Sequence, residues 1–205
     1  VTGLRDRKKQ AVRRRIIDVA DRLFAERGLE ATTMEDVAAL ADVSVGTVYN
    51  YFGSKHALLV AGMEDETDAM IEDGRAVLAR PGSDPKRAVQ RLIGGYLDHL
   101  TKWDPALLRE VMAASFQRSG GVDMTAELAR MDERLIDQLT ALLVDLGEQG
   151  LLGPDVDPAE ATLLVSSTMF LQLFMYLALD GIDSASLRAR VDRQIDLAFH
   201  GLEGG

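Results

Sequence analysis

The chain has no cysteine among its 205 residues, so neither disulfides nor thiolate metal sites are open to it. That lack fits a reducing compartment, and the expected localisation is cytoplasmic. Aromatic residues are only 5% of the chain. No run alternates apolar and polar residues as a half-buried strand requires. No apolar stretch follows the basic residues at the amino end, so no secretory signal is expected. Catalytic signatures are missing as well. None of His56, His99 and His200 has a second histidine or a carboxylate at metal-binding spacing. There is no H-E-x-x-H, G-x-S-x-G, Walker loop or strand-linked G-x-G-x-x-G. The expectation is a protein that is not an enzyme and needs no metal or cofactor.

Positive charge is scarce and unevenly placed. The formal net charge is -10, yet residues 1–15 carry seven basic side chains (Arg5, Arg7, Lys8, Lys9, Arg13, Arg14, Arg15) against Asp6 alone. Residues 1–55 sum to +2 and the remaining 150 to -12. A basic end on an acidic body suits orientation on a phosphate surface; it equally suits a solvated tail.

What is present is helical periodicity, nearly without interruption. Val12, Ile16, Val19, Ala20, Leu23 and Phe24 form one apolar stripe over about residues 7–27, which Gly28 ends. Thr32 or Thr33 then caps a short helix, paired in either register with an acid three residues on, Glu35 or Asp36. Asp42-Val43 turns the chain, Ser44 caps a third helix to about residue 52, and Gly53-Ser54 opens a fourth to about residue 80. Further helices are expected at about 85–103, 105–118, 122–149, 158–180 and 184–202, separated by breaks such as Pro81-Gly82-Ser83-Asp84-Pro85 and Asp104-Pro105. The fold class expected is all-α, about nine helices.

Residues 34–52 carry the functional argument. Two short helices meet at a steep angle only if a small residue sits at their closest approach, and Ala38 supplies it. Val37, Ala41, Val43, Val48 and Tyr51 fall at core spacings, while Ser44, Thr47 and Asn50 project elsewhere, from a helix a major groove could admit. Gly46 would let backbone come close to DNA.

The stretch Thr-Thr-Met-Glu-Asp-Val-Ala-x-x-Ala-x-Val-Ser-x-Gly-Thr-Val-Tyr-x-Tyr-Phe-x-Ser-Lys-x-x-Leu-Leu, with Ala-Glu-Arg-Gly before it, resembles the amino-terminal domain of TetR-family repressors over residues 12–60. The family usually has glycine where Asp42 stands, and aspartate tolerates the left-handed geometry needed there. The resemblance implies a helix-turn-helix DNA-binding domain at 1–55 and a helical regulatory and dimerisation domain at 56–205. It places Ser44, Val45, Gly46, Thr47, Tyr49, Asn50 and Tyr51 toward DNA, with Thr33 and Lys55 on phosphates. For Tyr51, core packing stands beside DNA contact. Base readout would rest on Asn50 with adenine and on Val45 with thymine methyls.

Residues 163–179 are apolar almost all round, which implies burial on both sides, by the chain's own domain on one and by a second subunit on the other. Ser166, Ser167, Thr168 and Gln172 interrupt the segment and it falls short of an unbroken span of ~20 residues, so a membrane helix is not expected. The resemblance implies a homodimer through the helices at about 158–180 and 184–202, reading a palindromic operator in double-stranded DNA. It also implies a small, mainly apolar effector that releases the repressor. Candidate lining residues for the effector are Met63, Tyr96, Trp103, Met112, Phe116, Met169, Phe170 and Phe174, chosen because methionine and aromatics suit an adaptable cavity. Ser119-Gly120-Gly121 and Gly94-Gly95 are each readable as a hinge or as ordinary loop and close helix contact.

Overall fold

A computed structural model describes residues 3–115 and 124–200. Among them the chain forms nine α-helices and no strand: α1 (Leu4–Ala31), α2 (Met34–Leu40), α3 (Val45–Phe52), α4 (Lys55–Ala79), α5 (Pro85–Leu100), α6 (Pro105–Ser115), α7 (Met124–Glu148), α8 (Pro158–Ala178) and α9 (Ser184–His200). The Ser119-Gly120-Gly121 segment and Phe116 lie outside the described residues.

Local chemistry sets most of these limits. Gly28 takes φ 79° and breaks the α1 ladder, leaving a short turn to Ala31. The Thr32 hydroxyl closes that break, within 2.9 Å of the Gly28 carbonyl and 3.2 Å of the Leu23 carbonyl. Thr32 is therefore buried, and Thr33 caps α2 in a reciprocal capping box with Asp36. Asp84 and Asp157 cap α5 and α8 ahead of prolines that cannot donate and need not.

Asp42 turns α2 into α3 at φ 52°, the one positive φ outside glycine among the described residues. Left-handed backbone costs a β-branched residue most. Asp42→Val should lower unfolding stability by about 1–2 kcal/mol. Asp42→Gly should leave it within about half a kcal/mol, because relief of strain is offset by a more flexible unfolded chain. Urea unfolding of the three proteins distinguishes these outcomes.

The helices form two compact units, one of Val1–Thr67 with Trp103–Leu128, the other of Asp68–Lys102 with Ala129–Gly205. In the first, Ile16, Leu23, Phe24, Val37, Ala38, Val48 and Leu58 pack with Leu107 and Val111 of α6. Glu110 of α6 also accepts the Leu29 N–H at 3.2 Å, just past the Gly28 break. In the second, Leu92, Tyr96, Leu139, Leu142, Val165, Met169, Leu187 and Val191 form the core. Arg188 of α9 lies against Gly94, where a Cβ would collide with its guanidinium, so Gly94 marks a close α5–α9 contact.

Helix α8 corrects one expectation: it is 21 residues long and, by length and composition, apolar enough to cross a membrane, so length does not argue against a span. Its own unit buries one face, and the face that the sequence reading assigned to a second subunit is exposed in the protomer. Thr162, Val165, Ser166, Met169 and Gln172 face inward, and Leu163, Leu164, Phe170, Leu171 and Phe174 are exposed. Thr162, Ser166 and Gln172 are turned into the protein, and the outer stripe is mostly apolar, with Glu160 in the first turn and Ser167 its polar members. Helix α9 packs against α8.

Candidate nucleic-acid interface

Helix α3 is held from below and open above. Val48 is fully buried, and Val43, Val45, Tyr51 and Phe52 rest partly buried on the same core. Ser44 accepts the Thr47 N–H at 3.2 Å, and the two hydroxyls lie 2.8 Å apart. Only one of their two hydroxyl protons is used by that pair, so the other remains for an outside acceptor. Asn50 is exposed and its amide has no partner among the described residues. Tyr49 is 47% exposed, a large aromatic surface left in water.

Gly46 is exposed, and a Cβ there would meet nothing nearer than Ser44 Oγ at 4.0 Å. Nothing inside the protein demands glycine at this position, although glycine disfavours a helix by up to about 1 kcal/mol relative to alanine.

Other site residues are more committed than the sequence suggested. Tyr51 donates its hydroxyl to the Lys9 carbonyl at 3.3 Å and stacks obliquely near Phe52, so packing describes it better than an open contact. Val45 is half-buried, which leaves only part of its side chain for a thymine methyl. The Thr33 hydroxyl donates to Asp36 at 2.8 Å. That bond, then the backbone bond from Thr33, holds the Asp36 carboxyl below its usual range and keeps it ionised. A phosphate would have to compete with this carboxylate for the Thr33 proton. Lys55 donates to the Glu30 carbonyl at 3.2 Å, pinning the start of α4 to the end of α1 while two ammonium protons stay available.

The basic amino end is the first turns of α1, helical from Leu4. Arg13 is less open than its exposed neighbours Arg14 and Arg15. It reaches both carboxylate oxygens of Asp65 at 3.0 Å and lies 6.0 Å from the Phe52 ring centroid. Together with Thr32 and Glu110, Arg13 fixes the geometry of the head. No local signal marks these three, since Arg13–Asp65 and Leu29–Glu110 join residues 52 and 81 positions apart.

The candidate effector residues fall in several places. Met63, Trp103 and Met112 belong to the first unit, Met63 and Trp103 half-buried on its core. Tyr96 and Met169 are buried in the second core, Tyr96 donating to Gln138 Oε1 at 2.6 Å. Phe170 and Phe174 are 44% and 51% exposed on the outer stripe of α8. They do not line an interior of their own unit, because the inward positions of that helix are taken by Val165, Met169 and Gln172.

The sequence model of the family described as bacterial regulatory proteins, tetR family, matches residues 16–61. The chain is 34% identical over 154 residues to the HTH-type transcriptional repressor KstR of Rhodococcus jostii, covering 75% of this chain and 65% of that protein. KstR of Mycolicibacterium smegmatis is 29% identical over 198 residues, covering 94% and 87%. Among solved structures, Thermus thermophilus FadR, a TetR-family repressor in complex with lauroyl-CoA, superposes with a TM-score of 0.68 at 24% identity, covering 94% and 96%.

Proposed function

The chain belongs to the TetR family of bacterial regulatory proteins, and from that premise we propose that it is a ligand-responsive transcriptional repressor acting as a homodimer on a palindromic operator. The observation that carries the reading is α3: capped, anchored by Val48, and presenting Gly46, Asn50 and Tyr49 outward. Few of these side chains read bases. Specificity then leans on Asn50, on half-site spacing set by the dimer, and on DNA shape.

The dimer is read from α8 and α9. Leu163, Leu164, Phe170, Leu171 and Phe174, with Leu197 on α9, give each protomer an apolar face that a second copy covers. The effector is a small molecule of mainly apolar character, binding one of two protein states better than the other. The lauroyl-CoA complex of the Thermus fold neighbour makes lauroyl-CoA, whose acyl chain has that apolar character although its CoA moiety is charged, the first compound to try. The domain division follows function: DNA reading by residues 1–55, regulation and dimerisation by residues 56–205.

Gel shifts on DNA flanking the protein's own gene test this directly. Binding should be sequence-selective and weaken steeply with salt. Asn50→Ala should lower discrimination at one base pair in each half-site by about 1–3 kcal/mol, whereas Lys55→Ala should weaken all sequences alike and reduce the salt slope by about two phosphates, one for each protomer. Sequence-blind binding by a folded dimer would reject the proposal in favour of a helical interaction module.

A further inference from the structure

Asp21 of α1 has its carboxyl laid on the backbone of Gly62 in α4, both within the first unit. A Cβ at Gly62 would stand 2.5 Å from Asp21 Oδ1. That oxygen is shut off from solvent and has no hydrogen-bond partner. A buried, unpartnered carboxylate oxygen is costly, whereas a neutral carboxylic acid tolerates the same place far better. Its surroundings sharpen the contrast. Asp18 on α1, and Asp65 and Glu66 on α4, all act against its negative charge. Arg13, the cation of the same α1–α4 contact, is placed on Asp65. Burial first, and these three carboxylates after it, raise the Asp21 carboxyl to about 7. Among the described residues no three carboxylates or imidazoles are placed to hold a metal ion, so the group is not a cation cage.

We infer that Asp21 is a proton-operated clasp between α1 and α4, closed over Gly62 when protonated and forced outward when ionised. The unfolded chain loses this proton near pH ~4, so the folded head binds it more tightly. Stability from the clasp is complete below that pH, declines as pH rises, and is fully lost above about 7. For operator binding, a consequence that rests on the proposed function, affinity falls as pH passes from acidic to alkaline.

The test is thermal unfolding of the full chain at fixed ionic strength from pH ~5 to ~8, for wild type, Asp21→Asn and Gly62→Ala. The wild-type midpoint should fall with rising pH and level off near 7. Asp21→Asn should lack this component and exceed wild type by about 3 °C or more at the alkaline end. Gly62→Ala, which expels the carboxyl into water, should lose stability at acidic pH and show the same flattened profile. Hydrogen exchange should place the wild-type change in α1 and in residues 55–67. Parallel profiles for wild type and Asp21→Asn, or an asparagine variant less stable at alkaline pH, overturn the clasp. Gel shifts on the same proteins separate the two readings: no selective DNA binding at any pH sinks the repressor, while the unfolding profiles still decide the clasp.

Discussion

Gly74→Ala should lower the stability of the protein by about 2–4 kcal/mol, from the addition of one methyl group. Gly74 lies buried on α4 between α5 and α7. A Cβ there would collide with Gln138 Oε1, and would stand 2.8 Å from Gln138 Cδ and 2.9 Å from Leu92 Cδ1. Leu92 is 1% exposed and has nowhere to retreat. Gln138 is held at both ends of its amide: it accepts from the Tyr96 hydroxyl at 2.6 Å and donates to the Ile71 carbonyl at 2.8 Å.

Making room for the methyl means breaking both bonds in a site where water does not replace them. Burial pushes the Tyr96 hydroxyl well above its usual range, so it stays a donor and is left unpaired. An orphaned buried donor costs about 1–3 kcal/mol and overpacking about 1–3 kcal/mol. The gain of up to about 1 kcal/mol from alanine in a helix offsets only part. The melting midpoint should drop by roughly 5–12 °C. Gln138→Ala in the same background should recover part of the loss, because the methyl then enters space the amide vacated, and that coupling is the specific signature. A neutral Gly74→Ala would show that this three-helix contact is not close-packed.

How far the sequence could be read depends on whether the information is local. The breaks at Gly28, Asp42 and Gly53 were legible because each takes a positive φ that only certain residues accept. The caps at Ser44 and Asp84 were legible for a similar reason, since each satisfies an N–H three residues away. The choice between Thr32 and Thr33 was not, because it is decided by the Leu23 carbonyl, nine residues back across the Gly28 break. Arg13–Asp65 and Glu110–Leu29 leave no trace in any short window. The apolar character of α8 was plain, but its direction was not. Composition marked Phe170 and Phe174 as cavity candidates, while their spacing with Leu163, Leu171 and Ser167 puts all five on one outward stripe. The exposure of Ser44, Gly46, Tyr49 and Asn50 was legible from their spacing on α3, whereas the bonds that already engage Thr33, Tyr51 and Lys55 were not.

Phe174→Asp should give a folded monomer whose operator affinity is at least about 100-fold weaker than that of the dimer. Phe174 is 51% exposed in the protomer, one turn from Phe170 at 44% and beside Leu171 at 56%. Because the ring is already half in water, aspartate costs the protomer little, and helix content by circular dichroism should be unchanged. In a twofold interface the same substitution acts twice. It removes two aromatic side chains, each contributing about 1.5–3 kcal/mol when fully buried, and brings two carboxylates into an apolar seam without a counter-charge. Sedimentation should therefore report a monomer at concentrations where wild type is dimeric. A monomer engages one half-site and loses the effective concentration that tethers the second head. It also makes about half the phosphate contacts, so the salt slope of binding should fall by about half. Phe174→Leu keeps the seam apolar and should keep both the dimer and most of the affinity. A Phe174→Asp protein that stays dimeric would move the interface off the α8 stripe, and one that turns monomeric yet binds DNA as tightly as wild type would sever dimerisation from operator reading.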